Sequence, residues 1–139
     1  MPRKILIAND GSDGAAKALT AATALAKQVK AELHMVCVEE LPRFPASIEE
    51  VIEEKQKANH RFAGVIAKST AEVKLHHIKL TTHLLAGHAV PRIVEAIEQH
   101  HFDLLVVGFM GHTALYNGLI GGTTDRLVKM APCSVLVVK

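Results

Sequence analysis

Short apolar runs alternate along this chain with longer segments of helical period, and that alternation limits what it can fold into. The runs at 4–10, 32–40, 73–87, 102–109 and 134–139 have the length and content of buried strands. Between them lie segments that predict helices over 13–30, 47–70, 90–101 and 123–130. In the first, Ala15, Leu19, Ala22, Ala26 and Val29 recur at steps of four and three, which places them on one face. Ser12 is suited to cap it and Asp13 to open its first turn. Pro42 and Pro45 break the chain after the second strand. Ser47 and Glu50 then stand at capping-box spacing, and Pro91 is tolerated in a helix's first turn. Such a βαβαβαβαβ order implies an α/β fold, a mostly parallel sheet with helices on both faces. No linker or repeat interrupts it, so residues 1–139 read as a single domain.

Composition agrees with this class and excludes others. With 49% hydrophobic residues and no tryptophan, the core must be built from Val, Leu, Ile and Ala. A net charge of +2, with basic residues scattered among glutamates, is no footprint for nucleic acid. Cys37 and Cys133 sit in or beside apolar runs and read as plain buried thiols. No apolar run reaches the roughly 20 residues of a membrane helix. Asn9 and Asp10 cut the first apolar run too short for a signal peptide. A cytoplasmic location is the expectation.

The stretch "GFMGHTALYNGLIGGTTDR" carries five glycines, at 108, 111, 118, 121 and 122, between a strand and a helix. Glycine loses more backbone entropy on folding than other residues, so tight turns or a ligand against the backbone should justify it. The segment is neither a Walker loop nor a G-x-G-x-x-G fingerprint. Thr123 and Thr124 open the following helix, where free N–H groups and hydroxyls suit a phosphate. Gly121 and Gly122 would let the backbone approach, and Gly108 and Gly111 would let it turn off the strand. A loop whose glycines serve turning alone remains the alternative. Parallel sheets bind ligands beyond the carboxyl ends of their strands, and "NDGSDG" after the first strand would face the same crevice.

The spacing Gly108-x2-Gly111-x9-Gly121 resembles the nucleotide-binding signature of the universal stress protein family. "KILIANDGS" resembles that family's opening strand and its Asp, and "DLLVVGFMGH" the strand entering the loop. "TTDRLVKMAPCSVLVV" resembles the closing helix and strand. The resemblance implies an open five-stranded parallel sheet in the order 3-2-1-4-5, of the adenine nucleotide alpha hydrolase-like type. It implies ATP or AMP as ligand, with or without Mg2+, and a stress-response sensor or signalling module. By the same resemblance Ala8, Asn9, Asp10, Met35, Val107 and Gly108 border the nucleoside, Met35 through its backbone. Gly111, His112, Gly121, Gly122, Thr123 and Thr124 surround the phosphates. The family usually has Ser or Thr where this chain has Gly122, which removes one hydroxyl. A homodimer paired through the last strand, 134–139, is also implied. The loop 39–47 would then cover the adenine.

Nine histidines invite a metal reading, but their spacing argues against it. His76 and His77 read as neighbours on a strand, pointing to opposite faces. His34 and His83 lie in strands without a Cys or carboxylate at metal spacing. His100 and His101 end a helix, where a partly charged ring suits the dipole. Ser12 has no nucleophile-elbow context, so weak ATP hydrolysis is the most enzymatic activity expected. A nucleotide-free dimeric interaction protein and an adenylating ligase domain are the rival readings. The chain is short for the second, with no room for a substrate domain.

Overall fold

The computed structural model describes residues 2–40, 47–109 and 120–139. Its strands are β1 (Lys4–Ala8), β2 (Glu32–Glu40), β3 (Leu80–Gly87), β4 (Leu104–Gly108) and β5 (Ser134–Val138). Its helices are α1 (Asp13–Val29), α2 (Ile48–Lys74), α3 (Ala89–His100) and α4 (Gly122–Met130). The strands form one sheet in the order β3-β2-β1-β4-β5, every pair parallel. Side chains on a strand alternate between faces, and both faces are covered. Ile5, Ile7, Met35, Cys37 and Val106 pack with α1 and with Phe62 and Val73 of α2. Leu6, Val36, Leu105 and Val107 pack with Val90, Ile93 and Ile97 of α3 and Leu127 of α4. Fully burying an aliphatic side chain is worth roughly 1.5–3 kcal/mol, so these two layers hold the sheet between them.

The caps fall where the sequence placed them. The Ser12 hydroxyl accepts from Ala15 N–H at 3.2 Å, and the Ser47 hydroxyl from Glu50 N–H at 3.1 Å. One element differs. The strand expected from residue 73 begins at Leu80. Residues 73–79 look strand-like because Val73 and Leu75 alternate with Lys74 and His76. Helical period prevails, since Phe62, Val65, Ile66 and Val73 form one stripe against the core, with Val73 fully buried. The chain then reverses through residues 75–77, leaving Leu75 exposed and His77 at φ 61°. His76 and His77 therefore belong to a turn rather than a strand.

The amino end of the sheet holds a second feature that linear spacing concealed. The Asp103 carboxylate accepts from the N–H groups of Arg3 and Lys4, which fixes the start of β1. Beside it, His34 Nδ1 and His83 Nε2 are hydrogen-bonded at 3.0 Å, their rings stacked with centroids 5.2 Å apart. His100 follows at 5.2 Å from His83. His34 also meets a carboxylate, Glu32 Oε1, at 3.4 Å. Phe102 packs edge-on against His34 and His83, and Lys4 lies over its ring. Burial pushes the His83 imidazole below its usual range, helped by His34, His100 and Lys4. Three histidines far apart in sequence thus form one row. Among the described residues no group of three His, Cys, Asp or Glu side chains is arranged to hold a metal.

Candidate functional site

A cavity of about 330 Å3 opens at the carboxyl ends of the strands. That is within the size range of small-ligand sites. Its apolar wall includes Ala8, Val36, Val38, Phe62, Ile93, Val107 and Leu127, and its polar rim Asn9, Asp10, Ser12, Glu40, Arg61, Thr123 and Thr124. Of the expected site residues it gathers Ala8, Asn9, Asp10, Val107, Gly108, Gly121, Thr123 and Thr124. Gly111 and His112 lie outside the described residues, as does most of the loop 39–47. Gly122 opens α4 but is not part of the cavity wall.

The contact expected of Met35 runs through its backbone, and its side chain serves the core. It is fully buried in the layer beneath α1 and α2, and its neighbours Val36 and Val38 face the cavity instead. The reason is strand parity, because alternate residues of β2 serve opposite faces. The Met35 sulfur accepts from Asn9 Nδ2 at 3.4 Å. Asn9 Nδ2 also donates to Ser69 Oγ at 3.3 Å, and Asn9 Oδ1 accepts from Gly11 N–H at 2.8 Å. Asn9 thus ties the end of β1 to α2 and shapes the turn, in which Gly11 takes φ 84°. Asp10 Oδ1 accepts from Ser12 N–H, a local turn of the same type.

The glycines separate by cause. A β-carbon at Gly108 would stand 2.6 Å from the carbonyl carbon of Gly14 and 2.7 Å from its oxygen. Gly108 is therefore required by the close approach of α1 to the end of β4. Gly121 has φ −63° and ψ 149°, open to any residue, so backbone conformation gives no reason for glycine there. A β-carbon at Gly122 would meet nothing within 4 Å. Thr124 Oγ donates to Gly108 O at 2.7 Å, so its proton already serves the fold. Thr123 is exposed at the rim.

Three helices begin at this cavity, and their N-termini are treated differently. The N-terminus of α1 is capped by Ser12. At α3, Glu40 reaches across from β2, so that its Oε1 accepts from Ala89 N–H at 2.9 Å and its Oε2 lies 3.4 Å from His88 Nδ1. At α4, the cap residue Gly121 offers no side-chain bond. Sequence reading missed both Glu40 and Arg61, which arrive from β2 and α2. Their only sequence signal is position, at a strand's carboxyl end and one residue before the core anchor Phe62.

The sheet order, the crossed helices and the cavity at the strand ends define an open α/β protein of nucleotide-binding architecture. The profile of the universal stress protein family matches residues 1–139. A universal stress protein of Methanocaldococcus jannaschii is 37% identical across 99% of this chain and 82% of its own. Among solved structures, the universal stress protein UspA from Lactobacillus plantarum superposes with a TM-score of 0.86 at 26% identity, over 99% of this chain and 97% of that one. Two others share the fold. A universal stress protein in complex with cAMP has a TM-score of 0.77 at 21% identity, covering 99% of this chain and 97% of its own. A family protein from Arabidopsis thaliana with AMP bound has 0.67 at 19%, covering 99% and 92%. The chain belongs to the universal stress protein family.

Proposed function

We propose that this protein binds an adenine nucleotide, ATP or AMP, across the carboxyl ends of β1 and β4 and serves as a sensor or signalling module in a stress response. The observation that carries this reading is the start of α4. It is the one helix start at the cavity whose N–H groups no side chain answers among the described residues. Free N–H groups and a helix dipole favour an anion there. Gly121 leaves the approach unobstructed, and Thr123 adds a hydroxyl at the rim. The apolar wall of Val36, Val38 and Ile93 suits a base, with Asp10 near the ribose or an accompanying Mg2+. Relatives of the same fold that hold cAMP and AMP support the ligand class. Pairing of two chains through β5 completes the proposal. Its outer edge has no partner among the described residues, and Leu136 is exposed there.

Isothermal titration with ATP and with AMP, together with native mass spectrometry of the protein as purified, tests the reading. Saturable binding of either nucleotide is expected. A protein that is purified empty and gives no binding heat at millimolar nucleotide overturns it, and favours a nucleotide-free interaction protein.

A further inference from the structure

Resting on that nucleotide reading, we propose that Arg61 is a phosphate-recognising residue, which makes affinity rise with the number of phosphates on the ligand. Three charged side chains line the described cavity: Asp10, Glu40 and Arg61. Two are carboxylates, which oppose an anionic ligand. Arg61 is the one cation among them, and the glycine segment from 108 to 125 contains no Lys or Arg. Without Arg61 the described wall would present two negative charges to a phosphate chain.

The geometry leaves Arg61 available. Its guanidinium lies over the Phe62 ring at 4.6 Å, which holds the side chain by a cation–π contact. Among the described residues Arg61 makes no hydrogen bond and no ion pair. Five donors in a planar fork match phosphate oxygens. Phe62 is a core residue at 1% exposure, so the platform beneath the guanidinium is rigid.

A structural role has to be separated from this one. Glu39 is buried, and its Oε2 has no hydrogen-bond partner among the described residues. Burial pushes the Glu39 carboxyl up, and Arg61 is the neighbouring charge that pulls it down. If Arg61 served only to offset Glu39, its loss would lower stability and disturb all ligands alike.

The experiment is titration of wild type, R61Q, R61K and the double variant E39Q/R61Q with adenosine, AMP and ATP at two salt concentrations. Circular dichroism confirms that each is folded. The expected result is a loss on R61Q of tenfold or more for ATP, a smaller loss for AMP and none for adenosine. R61K should recover part of the ATP affinity, and higher salt should shrink the differences. E39Q/R61Q should recover stability without recovering ATP affinity. Equal losses for all three ligands, or unchanged ATP binding by R61Q, overturn the proposal. So does recovery of ATP affinity in the double variant. Failure of wild type to bind any of the three overturns the nucleotide reading itself, and this proposal with it.

Discussion

Gly108, Gly121 and Gly122 stand in different surroundings, and substitutions at them should diverge. Gly108→Ala forces a β-carbon into the Gly14 carbonyl, so it should destabilise the fold by about 1–3 kcal/mol, as overpacking does, in a urea titration. Gly121→Val meets no φ penalty and should stay folded. It should nevertheless lose ATP binding about a hundredfold, through the loss of one or two charge-assisted amide contacts at roughly 1.5–3 kcal/mol each. Wild-type ATP affinity in a folded Gly121→Val protein would sink the phosphate site. Gly122→Ser enters open space and supplies the hydroxyl that the family resemblance implies at this position. It should raise ATP affinity severalfold at unchanged stability, on the order of one hydrogen bond at 0.5–1.5 kcal/mol. The segment was conspicuous in the sequence because glycine is costly there. What each glycine does depends on which backbone lies opposite, and Gly14 is nowhere near Gly108 in the chain. Arg61 escaped notice for the same reason, since a helix surface position gives no sign of the cavity it borders.

Among whole elements, those with a clean period were legible and those with a mixed one were not. The first, second and last strands and α1 stand close to where periodicity placed them. Residues 73–79 misled because a short stretch at a helix end can alternate by accident, and only the buried stripe ending at Val73 reveals the longer helix. The imidazole row was hidden because its members meet across β2, β3 and α3 rather than along one element. It has a measurable signature. The folded state holds the His83 pKa below its unfolded value of 6.5, so it favours the neutral ring. That contribution is complete above pH 6.5 and is lost as pH falls from there through the lower folded value. Besides His34 and His100 of the row itself, Glu32 and Lys4 are the charged side chains that face it. Thermal melts of wild type and His83→Phe between pH 5.0 and 8.0 test this. Wild type should lose more stability on acidification than the variant, and parallel curves would show that His83 does not titrate with folding.

At the scale of the whole molecule, the sheet ends among the described residues in two unpaired edges, β3 and β5. Open edges invite pairing, and β5 presents Leu136 at 39% exposure, with Val128 and Met130 exposed on the neighbouring α4. Light scattering at micromolar concentration should give twice the 15.0 kDa mass of one chain, and Leu136→Glu should shift it toward one. A wild-type protein that scatters as a single chain excludes the β5 dimer. The cavity has a directional character of its own. Because Ser12 and Glu40 already answer α1 and α3 from within, the described rim works as a keyed socket whose places for an anion are the start of α4 and the Arg61 guanidinium. A ligand phosphorylated at both extremities would have to set its second phosphate against the Glu40 carboxylate. If the proposed nucleotide site holds, adenosine derivatives charged at one end should enter in one orientation, and doubly tailed ones should bind more weakly.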